Sequence, residues 1–148
     1  MHVDLNIARF DPESGEKKPY REEFNIEVDE TSTVLDGLIK IREEVDGTLG
    51  LRCSCRSAIC GSCAMRVNGK AVLACNTKIS DLVSDENKSI NVEPVGNMKL
   101  IKDLIVEFDT HWQKIKAIEP WVKTDAPPPE AEYIASNESM MELIGVMG

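Results

Sequence analysis

No cysteine follows Cys75, no histidine lies near the cysteines before it, and no apolar run approaches the roughly 20 residues needed to span a bilayer. The last absence excludes a direct membrane span. Basic residues are also scarce, with 17 against 26 acids and a formal net charge of −9. That balance excludes nucleic acid as a partner, because phosphates attract a basic face. An acidic surface suits orienting a protein partner, or simple solubility. The start, Met1-His2-Val3-Asp4, resembles neither a signal peptide nor an Arg-rich transit peptide. Five cysteines without secretion point to a reducing compartment and free thiols rather than disulfides. At 42% hydrophobic and 29% charged, 148 residues suit one globular domain with an appendage.

What is present is a run of cysteines. Cys55, Cys60, Cys63 and Cys75 are spaced C-x4-C-x2-C-x11-C. The first three match the spacing with which plant-type ferredoxins hold a 2Fe–2S cluster, and a fourth ligand arrives from further along the chain. Two bridged irons need four thiolates, and the segment carrying them must curl. Ser57, Ala58, Gly61 and Ser62 are small enough to allow the curl, and Gly61 has dihedrals open to it that other residues avoid. Arg52, Arg56 and Arg66 flank the ligands and are candidates to offset negative charge there. Cys53 fits no ferredoxin frame and reads as a small buried hydrophobe. Two other readings compete. Zinc sites usually show two short ligand pairs, and here one tight triplet stands with one distant cysteine. Disulfides suit neither the odd count nor the compartment.

Around the run, periodicity supplies the fold. Val3, Leu5 and Ile7 alternate with polar residues, as do Phe24, Ile26 and Val28. Two strands joined through the turn Asp11–Gly15 form a hairpin. Val34, Leu35, Leu38, Ile39, Ile41 and Val45 mark one face of a helix, with Thr33 and Asp36 placed as a capping box and Gly47 after its end. Asn68-Gly69 between Ala64–Val67 and Ala71–Ala74 is a hairpin signal. Ser89–Glu93 reads as the last strand. The order predicts an α+β fold: a β-grasp 2Fe–2S ferredoxin-like domain over residues 1–95, followed by a helical connector over 96–148. In the connector, Ile101, Leu104, Ile105, Phe108, Trp112 and Ile115 recur at threes and fours, predicting one helix whose stripe must be buried, against the first domain or against a partner. His111, at its edge, reads as a packing or surface residue. Asp125–Glu130 is a stiff Pro-rich linker. Ser139–Met147 begins another helix, its methionines serving as core or interface filler.

The stretch Ser54-Cys55-Arg56-Ser57-Ala58-Ile59-Cys60-Gly61-Ser62-Cys63-Ala64-Met65 resembles the cluster loop of the iron–sulfur subunit of succinate dehydrogenase and fumarate reductase. So does Leu73-Ala74-Cys75. Glu93–Val106 resembles that family's link between domains, and Ile118–Val122 and Glu132-Tyr133-Ile134 also fit. The family commonly has Gly where this chain has Ala58. The resemblance implies that Cys55, Cys60, Cys63 and Cys75 hold the 2Fe–2S cluster. It implies a non-catalytic electron-transfer subunit that carries single electrons from the FAD of a flavoprotein subunit toward further clusters and the quinone of membrane anchor subunits. The expected place is cytoplasmic, peripheral on the inner face of the cell membrane. Family members also hold 4Fe–4S and 3Fe–4S clusters through later cysteine runs, whose ligands this chain lacks. A stand-alone plant-type 2Fe–2S ferredoxin shuttle is the alternative, and a connector with an unfinished helix argues against it.

Overall fold

Every second residue from Val3 to Arg9 is buried, so β1 (His2–Arg9) turns one face wholly inward. In the computed structural model, residues 1–14, 18–123, 127, 130 and 134–147 are described. β2 (Tyr20–Glu27) runs antiparallel to β1, setting Val3 against Ile26 and Leu5 against Phe24. On its other side β1 pairs in parallel with β5 (Ser89–Pro94), and β5 pairs antiparallel with β3 (Ala64–Val67). β4 (Lys70–Leu73) closes a hairpin with β3 around Asn68 and Gly69. Both turn residues have positive φ, 48° and 80°, which the twist of a two-residue hairpin requires. The sheet order is β2-β1-β5-β3-β4, a mixed α+β arrangement of the β-grasp kind.

α1 (Val34–Glu44) covers one face of this sheet. Its buried residues include Val34, Leu35, Leu38, Ile39 and Ile41, as read from the sequence; Val45, placed on the same face there, is instead the C-cap and is exposed. The capping box is present in both directions: Asp36 N donates to Thr33 Oγ1 at 3.2 Å, and Thr33 N donates to Asp36 Oδ2 at 2.9 Å. Gly37 is where helix and sheet come closest. A Cβ there would stand 3.2–3.3 Å from side-chain atoms of Leu5, Ile26 and Ile79.

The connector departs from its expected form. The single helix predicted from Ile101 onward is instead a second hairpin, β6 (Leu100–Lys102) with β7 (Ile105–Val106), followed by α2 (Asp109–Ile118). Tertiary bonds override the local period. Asp103, at the hairpin tip, has φ 46°, and its carboxylate accepts from Phe10 N at 2.9 Å and Gly50 N at 2.7 Å. Leu104 N donates to Gly50 O at 3.1 Å. Leu104 and Val106 are buried while Ile101 is exposed, which a strand achieves and the predicted helix does not. Within this chain α2 has no buried residue and Trp112 is exposed, so the stripe is left for a partner to cover, the other of the two expected ways of burying it. α3 (Asn137–Met147) is helical as expected, but Met140 and Met141 are exposed rather than core. Gly15, most of the Pro-rich linker, Glu132 and Tyr133 lie outside the described residues. The chain divides into two compact units, Met1–Gln113 and Lys114–Gly148.

Arg9 was not singled out by sequence reasoning, yet it anchors the first unit. It is 4% exposed, with Nε on Asp103 Oδ1 at 3.0 Å, Nη1 on Glu22 and Asp46 at 2.6 Å, and Nη2 on Thr48 Oγ1 at 2.9 Å. Burial alone would lower its pKa, but hydrogen bonds to Asp46 and Asp103 and their charge raise it well above the usual value. Asp46 is lowered to about 2, first by the Thr48 hydroxyl, then by Arg9 and by the Thr48 backbone. A carboxylate depressed in the folded state stabilises fully above its unfolded pKa and loses that contribution as pH falls toward the folded one. Thermal melts of the native chain and Asp46→Asn are therefore expected to differ at neutral pH and to converge between about pH 4 and pH 2. A constant gap across that window would remove Asp46 from the acid response.

Candidate metal centre

The cysteine loop lies between the end of α1 and β3, and its backbone is unusual. Arg56 and Ala58 have φ of 54° and 58°, and Gly61 has 71°. The left-handed conformation costs a residue with a Cβ about 1 kcal/mol, and none for glycine. Ala58 thus occupies a position that favours glycine, as its contrast with the family pattern suggested.

The curl has a purpose visible in its hydrogen bonds. Ser57 N and Cys60 N both donate to Cys55 Sγ at 3.3 Å. The Ser57 hydroxyl donates to Cys55 O at 3.0 Å, tying the turn shut. Cys60 Sγ and Ser62 Oγ are 3.3 Å apart. Positive-φ residues are what allow backbone N–H groups to turn inward onto sulfur here, the arrangement that stabilises a thiolate.

Cys63 comes from the other side of the loop, immediately before β3, and is buried. Cys75 sits on a one-turn 3-10 segment, Ala74–Asn76, just after β4. The β3–β4 hairpin brings these two together: Ala64 pairs with Leu73, and Ala74 N donates to Cys63 O at 3.1 Å. The thiol of Cys63 is raised, by burial first and then by the neighbouring Cys75 side chain. Cys60 behaves oppositely. It is exposed and lowered to about 6, by the Ser62 hydroxyl first and then by the backbone and side chain around Cys55.

The four sulfurs therefore fall into two pairs, Cys55 with Cys60 and Cys63 with Cys75. All are free thiols. Among the described residues, no three Cys, His, Asp or Glu side chains converge where one metal ion would sit. A two-iron cluster needs two thiolates at each iron, and the donor set fits that requirement. Cys53 is half-buried and packs against the hydrophobic core, as its sequence position suggested.

The three arginines have separate fates. Arg56 is exposed within the loop. Arg52 donates from Nη1 to Val106 O at 3.0 Å, and its guanidinium lies 5.4 Å from the centre of the Phe108 ring. It shares with Cys60, Ser62, Phe108 and Trp112 a groove of about 610 Å³. Arg66 is turned toward Gly96, where an added Cβ would meet its guanidinium at 3.2 Å. His111 is exposed and stacks edge-on with Phe108 and Trp112, as a surface packing residue.

A family model described as 2Fe-2S iron-sulfur cluster binding domain matches residues 4–113. Iron-sulfur subunit 1 of mitochondrial succinate dehydrogenase [ubiquinone] from Oryza sativa subsp. japonica is 39% identical over 137 residues, covering 91% of this chain and 47% of that protein. The corresponding subunit from Candida glabrata is 37% identical over 144 residues, covering 96% and 56%. The chain thus spans about half the length of the curated relatives it matches. Among solved structures, a chain of the Mycobacterium smegmatis Sdh1 complex in the apo form superposes with a TM-score of 0.71 at 22% identity, over 95% of this chain and 56% of that one. A hypothetical protein from Helicobacter pylori gives 0.55 at 21%, over 82% and 22%. At these identities the structural likeness speaks for the fold.

Proposed function

The chain belongs to the 2Fe-2S iron-sulfur cluster binding domain family, and from that premise we propose that it is the electron-transfer part of a succinate dehydrogenase or fumarate reductase iron–sulfur subunit. The observation that carries the reading is the cysteine loop, curled so that two N–H groups meet Cys55 Sγ while the thiols stand as two pairs. Cys55 and Cys60 would hold one iron, Cys63 and Cys75 the other. When bound, a 2Fe–2S cluster supplies one-electron acceptance and release.

This chain's own residues then act as a mount. Ser57 N and Cys60 N favour negative charge on Cys55. The buried Cys63 and the rigid β3–β4 hairpin fix the inner pair, while exposed Cys60 turns the outer pair toward a groove open to a partner. That asymmetry suits passage of charge between proteins. The reading keeps residues 1–95 as the cluster domain and 96–148 as the connector, with the β6–β7 hairpin as the part of the connector that grips the domain through Asp103.

The partners are a flavoprotein subunit carrying FAD, and membrane anchor subunits reached through further clusters. No helix among the described residues is long and apolar enough to cross a membrane. In this reading the chain lies in the cytoplasm, peripheral to the inner face of the cell membrane, and carries no succinate site of its own.

Metal analysis after anaerobic reconstitution, followed by electron paramagnetic resonance on the dithionite-reduced protein, tests the centre. Iron and sulfide in equal amount with a resonance on reduction are expected. Zinc without iron and a silent spectrum would end the reading. Co-purification with a flavoprotein that reduces the centre with succinate tests the assembly. A chain that loads iron yet binds no flavoprotein would favour the shuttle ferredoxin instead.

A further inference from the structure

We propose that the Ser62 hydroxyl is a positioning group for the Cys60 thiolate that raises the reduction potential of the centre. This rests on the cluster reading above.

The two sulfurs of the outer pair are supported differently. Cys55 Sγ receives backbone N–H groups from Ser57 and Cys60, which no side-chain change removes. Cys60 Sγ lies 3.3 Å from Ser62 Oγ, and among the described residues no other side-chain hydroxyl is hydrogen-bonded to a cysteine sulfur. Ser57 makes the contrast plain: its hydroxyl points to Cys55 O, at 3.0 Å, and not to sulfur.

In the free thiol the proton lies on Cys60 and Ser62 Oγ accepts it. Once Cys60 is a thiolate, only the hydroxyl has a proton to give. The bond then reverses, and Ser62 O–H donates to a charged sulfur, the stronger kind of hydrogen bond. One added electron increases the negative charge shared by the ligand sulfurs. A donor aimed at that charge therefore stabilises the reduced form more than the oxidised form, which raises the potential. Ser62 is half-buried and Cys60 is exposed, so the hydroxyl is held beside a sulfur that water also reaches. Water replaces part of a lost hydroxyl, which keeps the expected effect moderate.

The test uses the whole chain, reconstituted with iron and sulfide, as native protein, Ser62→Ala and Ser62→Thr. Iron content and visible absorbance are read first, and then the midpoint by resonance-monitored redox titration. All three are expected to load iron. At a fixed applied potential, Ser62→Ala is expected to show a three- to tenfold lower ratio of reduced to oxidised centre, tenfold corresponding to about 59 mV for one electron. Ser62→Thr, which keeps the hydroxyl, is expected to stay near the native value. An unmoved midpoint in Ser62→Ala overturns the proposal, as does a Ser62→Thr shift equal to that of alanine. Loss of iron from Ser62→Ala alone would make the hydroxyl a retention device rather than a tuning one, and also overturns it. Native protein that takes up no iron fails differently, because it removes the cluster reading itself.

Discussion

Replacing Arg9 with Ala is expected to lower the unfolding free energy by about 3–5 kcal/mol, the range seen when one partner of a buried ion pair is removed. The geometry explains why the loss is large. Asp103 is 1% exposed and sits against the Arg9 guanidinium at 3.0 Å. Without Arg9, that carboxylate stays buried, with Phe10 N and Gly50 N as its remaining donors. Asp46 and Glu22 lose their shared cation too, though the half-exposed Glu22 contributes little. Urea unfolding at pH 7 measures the effect. A loss below about 1 kcal/mol would show that solvent reaches Asp103 and that the network is peripheral. Because the variant leaves carboxylates without their cation, its deficit is also expected to shrink in acid, where they protonate.

The second large effect concerns the ligand frame. Cys60→Ser is expected to abolish the 2Fe–2S absorbance or perturb it strongly, while Cys53→Ser keeps it. Serine offers an oxygen where the iron would have a thiolate, and it also removes one member of the outer pair. Cys53 packs against the core and belongs to neither sulfur pair. Its replacement puts a hydroxyl at a half-buried site, at a cost of about 1 kcal/mol in stability rather than in iron. Equal iron loss from both variants would show the frame to be wrong. So would retention of a native spectrum in Cys60→Ser.

The sheet and first helix were legible because each reported a simple period. Val3, Leu5 and Ile7 alternate, and Val34 to Ile41 recur by threes and fours, so local pattern and tertiary burial agree. The Asn68-Gly69 turn was legible because only residues tolerant of positive φ fit there. The β6–β7 hairpin was not legible. Ile101, Leu104, Ile105 and Phe108 carry helical spacing, and what defeats the helix is a carboxylate bonded to Phe10 and Gly50, more than fifty residues away. Arg9 was legible in principle. It takes the next inward place after Val3, Leu5 and Ile7, and a charge on the buried side of a strand calls for buried partners. For the centre, the spacing named the sulfurs. The split into one pair with an exposed cysteine and one with a buried cysteine needed coordinates, because it depends on how the β3–β4 hairpin presents Cys75; the part of Ser62 needed them because the curl of the loop sets its hydroxyl on Cys60.

The parallel pairing of β1 with β5 bears on how this molecule comes into being. It joins Asp4 to Ser89, a separation of 85 residues (89 − 4), and all four cluster cysteines lie within that span. Closing a loop of this length costs about 4 kcal/mol in chain entropy beyond a constant. Long-range pairings of this kind slow folding. During synthesis Cys55 to Cys75 leave the ribosome before β5 exists to complete the sheet behind them. The β3–β4 hairpin that presents Cys63 and Cys75 joins the sheet only through β5, so these thiols emerge on a nascent chain whose scaffold is unfinished until that strand pairs.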